Sequence, residues 1–125
     1  MKILLADDDR VLTHLLSTRL RAKGAETIVA HDAMQAFMVA VKTAPDVIVL
    51  DVQMPGGTGT AALTRLKQSA KTSMIPVVVL TGSVDPKAAG SFKALGAVEF
   101  LCKPVDPEEL YRVVCAVLAP QEPVG

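Results

Sequence analysis

Tryptophan is absent from this chain of 125 residues, and the other aromatics amount to three Phe and one Tyr. A core must therefore be filled by Val, Leu, Ile, Ala and Met. Half of the residues are hydrophobic, which is enough to bury a core and excludes a disordered chain. The length suits one domain. An excess of charge is missing as well: thirteen basic residues balance thirteen acidic ones, with no long basic run. That excludes direct binding of nucleic acid through net charge. Cysteine occurs twice, as Cys102 and Cys115, without metal-type spacing. The pair reads as two reduced core thiols of a cytoplasmic protein. No apolar run approaches the ~18–20 residues of a membrane span. The start, Met1-Lys2-Ile3-Leu4-Leu5, is too short an apolar stretch for a secretory signal and soon meets three aspartates.

What is present is an alternation. Five short apolar runs, Ile3–Ala6, Thr27–Ala30, Val47–Leu50, Val77–Leu80 and Val98–Cys102, are each followed by a stretch with helical spacing. The β-branched runs suit strands covered on both faces. Val11, Leu12, Leu15, Leu16 and Leu20 form an apolar stripe that Gly24 can end. Asp32 with Gln35 resembles a capping box, and Asp85-Pro86 and Asp106-Pro107 place a capping carboxylate before a proline. Leu110, Val113, Val114, Val117 and Leu118 follow the helical period, and Pro120 and Pro123 then close the fold. Residues 1–119 are expected to form one domain, with 120–125 as a short tail or truncated linker. Strand alternating with helix predicts a doubly wound α/β fold, a parallel five-stranded sheet with helices on both faces. Ligands of such sheets bind at the carboxyl ends of strands, near the point where strand order reverses.

Those ends carry chemistry. The first strand runs into Asp7-Asp8-Asp9, the third into Asp51, the fourth into Thr81-Gly82-Ser83 and the fifth into Lys103-Pro104. Clustered carboxylates ~4 Å apart repel by ~4 kcal/mol at an effective dielectric near 20. A hard divalent cation with oxygen ligands relieves that, and Mg²⁺ fits the donor set. One carboxylate can then act as a nucleophile toward phosphorus while metal and lysine neutralise charge on the transferring group. The Thr81 hydroxyl and Gly82 N–H are suited to the remaining phosphoryl oxygens.

Asp7-Asp8, then Asp51 followed by Met54-Pro55 and Gly59, then Thr81, then Lys103-Pro104, resembles the receiver domains of response regulators in two-component systems. The likeness runs to about Ala119, with Thr81 thirty residues after Asp51 and Lys103 twenty-two after Thr81. The resemblance implies a flavodoxin-like strand order, 2-1-3-4-5. It implies that Asp51 takes a phosphoryl group from a sensor histidine kinase or phosphotransfer protein. Asp7, Asp8, Asp51 and the backbone carbonyl of Gln53 would hold Mg²⁺. Thr81, Gly82 and Lys103 would bind the phosphoryl group, and Lys103-Pro104 would be cis. Thr81 and Phe100 would form the switch that reports phosphorylation to a downstream effector or fused output domain. The chain would be a switch that catalyses only its own phosphorylation and dephosphorylation. Phe100 stands where tyrosine is frequent in that family. The run Gly56-Gly57-Thr58-Gly59 is glycine-rich, and Gln53 and Ser83 sit where relatives tune phosphoryl lifetime.

Plainer roles suit several other residues. Asp9 reads as a helix cap rather than a metal ligand, and Asp46 and Asp106 as boundary residues. His14 and His31 lack a partner pattern and read as surface residues. Lys42, Arg65, Lys67 and Lys71 read as solvated helix faces, and Met34, Met38 and Met54 as packing residues. The string Gly57-Thr58-Gly59-Thr60-Ala61-Ala62 matches a dinucleotide fingerprint but follows the wrong strand. An aspartate-nucleophile phosphohydrolase is the alternative function. It would need an acid two residues after its nucleophile, and position 53 is Gln. A receiver-like module independent of phosphate would lack an acid, Thr or Lys, and all are present.

Overall fold

The computed structural model describes residues 1–54, 59–82 and 86–120, with the side chains of Gly59 and residues 86–89 left aside. Five strands alternate with five helices: β1 (Lys2–Ala6), α1 (Arg10–Ala22), β2 (Glu26–Ala30), α2 (Ala33–Thr43), β3 (Val47–Asp51), α3 (Gly59–Gln68), β4 (Val77–Thr81), α4 (Pro86–Ala94), β5 (Glu99–Cys102) and α5 (Pro107–Leu118). The strands pair in parallel in the order β2-β1-β3-β4-β5. This is the doubly wound flavodoxin-like architecture.

The apolar runs are divided by the two-residue period of a strand. Ile3, Leu5, Val47, Val49, Val78 and Leu80 face Leu16, Leu20, Leu110 and Val114 of α1 and α5. Leu4, Ala6, Ile48, Leu50, Val77 and Val79 face Ala36, Ala40, Leu63, Leu66 and Phe92 of α2, α3 and α4. Every residue of β3 and β4 is buried, so these central strands form a rigid platform. Strand order reverses beside β1, which places a crevice at the carboxyl ends of β1 and β3.

The caps explain where the helices begin and end. Asp9 accepts from the Leu12 N–H at 3.0 Å and opens α1, and Gly24, at φ +94°, follows its end. Asp32 accepts from the Gln35 N–H at 2.7 Å, while Gln35 Oε1 accepts from the His31 N–H at 2.7 Å. The capping box thus closes one residue ahead of its usual partner. Asp106 accepts from the Glu108 N–H at 3.1 Å and opens α5. Asp85 lies outside the described residues.

Several side chains sit differently from their sequence expectation. The buried face of α1 is Thr13, Leu16, Ser17 and Leu20, while Val11 is 81 % exposed and Leu15 is also exposed. The helix leans toward edge strand β2, where the Ser17 hydroxyl meets the Thr27 hydroxyl at 2.6 Å. Small polar residues permit that approach. Met34 and Met38 are exposed rather than packed, because Ala36 and Ala40 take the inward positions of α2; Met54 is buried as expected. Lys67 is not a solvated cation. Its ammonium donates to the carbonyls of Ser73 at 3.2 Å and Ile75 at 2.7 Å, and burial pushes its pKa down. Cys102 and Cys115 form no disulfide and are only partly buried, so neither belongs to the core. No helix among the described residues is long and apolar enough to cross a membrane.

Candidate functional site

The sheet's hydrogen bonding continues one residue past several strands and so fixes the rim. The Asp7 N–H donates to the Ala30 carbonyl at 3.0 Å, and the Lys103 N–H donates to the Thr81 carbonyl at 2.8 Å. Asp51 and Thr81 are the last residues of β3 and β4, both buried. The peptide bond between Lys103 and Pro104 is cis.

Three carboxylates converge there. One oxygen each from Asp7, Asp8 and Asp51 lies within 4.8 Å of the others, with Asp7 and Asp51 buried and Asp8 exposed. Lys103 Nζ sits 2.8 Å from Asp7 Oδ2 and 3.3 Å from Asp51 Oδ2. Asp51 Oδ1 accepts from the Gln53 N–H at 3.0 Å, and Asp7 Oδ1 accepts from the Asp9 N–H at 2.9 Å. Asp7 Oδ2 is in ion-pair contact with Lys103 but off hydrogen-bond geometry. It is a buried carboxylate oxygen without a hydrogen bond. Such an atom costs free energy unless a cation meets it, and here Lys103 does so at 2.8 Å.

Burial pushes the Asp51 pKa above its ordinary value of 3.8, helped by the charge of Asp7 and opposed by Gln53 and Lys103. Burial also opposes the charge on Lys103, but Asp7 and Asp51 outweigh it and hold that ammonium above its ordinary 10.5. The pocket therefore holds an oxygen-donor set with surplus negative charge and one cation shared between two acids. It is suited to binding a hard cation and presenting a carboxylate as nucleophile.

Asp7, Asp8, Asp51 and Lys103 are brought together as their spacing suggests, with Thr81 beside them at the end of β4. Gln53 contributes its amide to Asp51. Gly82 is exposed at the rim, where an added Cβ would meet only Gln53 Oε1 at 3.6 Å. Phe100 does not reach the acidic cluster. It lies in β5 opposite Val79, partly buried against the α2–α4 side of the core. Pro55, Gly56, Gly57, Thr58 and Ser83 lie outside the described residues. His31 has a partner that sequence reasoning missed: its Nδ1 lies 3.0 Å from the Asp7 carbonyl. The signal was the strand order itself, because β2 pairs with β1 in a register that sets Ala30 beside Ala6.

Residues 3–115 match the family described as the response regulator receiver domain. The chain belongs to that family. It is 34 % identical over 118 residues to Protein PilH of Pseudomonas aeruginosa, covering 94 % of this chain and 98 % of that one. It is 41 % identical over 119 residues to the transcriptional regulatory protein CpxR of Escherichia coli, covering 94 % of this chain and 49 % of that one. The chain spans about half the length of the transcriptional regulators it matches. Among solved structures, the chemotaxis response regulator CheY4 of Vibrio cholerae superposes with a TM-score of 0.88 at 32 % identity, covering 94 % and 98 % of the two chains.

Proposed function

We propose that Asp51 accepts a phosphoryl group from the phosphohistidine of a sensor histidine kinase or phosphotransfer protein, and that this switches a partner-binding surface. One observation carries the reading: a buried Asp51 carboxylate shares Lys103 with Asp7 at the rim of the sheet. Mg²⁺ fits the site, because the donors are oxygens within 4.8 Å of one another and Lys103 alone does not balance three carboxylates. Asp7, Asp8, Asp51 and the Gln53 carbonyl would hold it. When bound, Mg²⁺ supplies positive charge against the carboxylates and the phosphoryl oxygens.

In this reading an Asp51 oxygen forms the new P–O bond as the donor's P–N bond breaks. The imidazole leaves with that electron pair and takes up a proton. Lys103 is close enough to follow the charge onto a phosphoryl oxygen. The Thr81 hydroxyl and Gly82 N–H receive the other oxygens. Thr81 and Phe100 then relay the change to the face formed by α4, β5 and α5. Outside substrates are not turned over, and the domain comprises residues 1–119. The partners are a kinase or phosphotransfer protein upstream, and an effector protein or fused output domain downstream, in the cytoplasm.

Incubation with acetyl phosphate and Mg²⁺ tests the assignment by intact mass. Wild type should gain one phosphoryl group as an acid-stable, base-labile acyl phosphate, and Asp51→Asn should gain none. Equal labelling of both proteins refutes Asp51 as the acceptor. Sustained turnover of p-nitrophenyl phosphate would instead favour the phosphohydrolase alternative.

A further inference from the structure

Helix α1 and edge strand β2 flank a groove of about 260 Å³ whose charged lining is basic throughout. Arg10, His14 and Arg21 reach it from α1 and His31 from the end of β2, and no acidic residue lines it. Positions 10, 14, 17 and 21 follow i, i+4, i+7, i+11, one face of the helix. Arg21 Nε donates to the Ser17 carbonyl at 3.4 Å, so its guanidinium folds back one turn toward Arg10. The floor is polar and fixed. Thr13 and Ser17 are buried in it, with Thr13 Oγ1 donating to the Arg10 carbonyl at 3.2 Å and the Ser17 hydroxyl meeting that of Thr27 at 2.6 Å. His31 Nδ1, 3.0 Å from the Asp7 carbonyl, holds the wall on the β2 side. Among the described residues no carboxylate pairs with Arg10, His14, Arg21 or His31. The nearby acids are spent elsewhere: Asp9 caps α1 and Asp32 caps α2. The whole chain has zero net charge, so this basic excess is local.

We propose that this groove binds a small molecule carrying two phosphate groups, at a site separate from the acidic pocket. Arginine sets the chemistry, because its planar guanidinium presents paired donors that match two oxygens of one anion. Phosphate suits the lining better than carboxylate, since each phosphoryl group carries more negative charge and three acceptor oxygens. The spacing calls for two such groups. The Arg21 guanidinium lies at the level of Ser17, roughly 10 Å along the helix axis from Arg10, with His14 between them. Two linked phosphates match that separation better than one. The size limits the occupant further. The volume falls below the ~300–1,000 Å³ of sites for drug-sized ligands and cofactors, which disfavours a whole nucleotide. A stable protein partner would engage about 20–30 residues a side, far more than line this groove.

An NMR titration of the ¹⁵N-labelled protein with inorganic pyrophosphate, in metal-free buffer at constant ionic strength, reads the binding. Neither metal nor phosphoryl transfer at Asp51 enters the assay. The amides of Thr13, His14, Ser17 and Val29 should shift and saturate together. Arg10→Gln and Arg21→Gln each remove a charged hydrogen-bond donor and should raise Kd roughly tenfold. Lys42→Gln, at an exposed basic residue of α2, should leave Kd unchanged. Succinate, with two carboxylates, should bind more weakly than pyrophosphate. Both arginines are exposed, and the amide spectrum of each variant checks its fold. No saturable shift at the groove up to about 10 mM pyrophosphate overturns the proposal. So do shifts centred on Thr81 and Lys103, a Kd indifferent to both arginine changes, or one raised equally by Lys42→Gln. Succinate binding as tightly as pyrophosphate overturns the assignment to phosphate.

Discussion

Asp51→Asn should stabilise the metal-free protein, because the charges around Asp51 nearly cancel and desolvation decides the sign. At an effective dielectric near 20, Asp7 within 4.8 Å repels Asp51 by at least about 3.5 kcal/mol, whereas Lys103 at 3.3 Å attracts it by about 5 kcal/mol. Exposed Asp8 adds about 1 kcal/mol of screened repulsion. What remains is burial of a carboxylate that is 1 % exposed, a cost of several kcal/mol partly offset by the Gln53 N–H. The net penalty is about 1–2 kcal/mol, consistent with burial being the first cause of the raised pKa. Asparagine keeps the volume and the Gln53 hydrogen bond, and leaves Lys103 paired to Asp7 at 2.8 Å. Urea melts at pH 7 in EDTA should therefore show Asp51→Asn more stable by about 1–2 kcal/mol. Since the folded pKa lies above 3.8, the penalty is fully present above the folded value. It fades as pH falls through that value toward 3.8, so the two proteins should converge in acid. Mg²⁺ at ten times Kd should add ~1.4 kcal/mol to wild type and less to the variant. An Asp51→Asn protein less stable than wild type in EDTA, with an undiminished Mg²⁺ gain, would refute the reasoning.

Lys103→Met strips the shared cation from two buried acids and should cost about 3 kcal/mol at pH 7, partly recovered by excess Mg²⁺. Because the Lys103 pKa is raised in the fold, its contribution is whole below pH 10.5 and lost as pH rises through the folded value, so the wild-type advantage in urea melts should close at alkaline pH. Gly96→Ala places a Cβ 3.0 Å from Lys67 Cγ at φ +106° and should cost about 1–2 kcal/mol; an unchanged denaturation midpoint would refute both the backbone strain and the contact as costs. Beryllofluoride with Mg²⁺ should shift NMR resonances of Phe100 and α5 as well as those of the acidic pocket, and shifts confined to the pocket would count against a relay through β5.

The fold was legible because the strand runs are apolar on both faces and the punctuation between them is capped. Asp9, Asp32 and Asp106 each cap a helix as their positions suggest. The acidic cluster was legible for a related reason: parallel strands deliver their last residues to one rim, so chemistry at strand ends converges. The outward faces of helices were harder to read. In α2 the sequence Ala33–Thr43 has one charged residue, Lys42, and the apolar pattern alone does not say that the alanines turn inward. In α1 an apolar stripe competed with a hydroxyl pair that only the packing against β2 reveals. Lys67 escaped because its acceptors are backbone carbonyls, which no side-chain pattern records.

The same burial that raises the Asp51 pKa constrains where a response can go. β3 and β4 are buried along their whole length, so added charge at Asp51 cannot be relieved by moving those strands without opening the core. On one side, Asp7 is tied by its N–H to Ala30 and by its carbonyl to His31, which anchors it to β2. On the other side β5 is, like β2, an edge strand with a single buried residue, here Leu101, and Lys103 keeps about a quarter of its side chain in solvent. A phosphoryl group on Asp51 would compete with Asp7 for the Lys103 ammonium. The backbone of Lys103 is hydrogen-bonded to Thr81 and lies three residues from Phe100. In the proposed reading, displacement of that lysine would act first on β5 and on the partly exposed Phe100 ring.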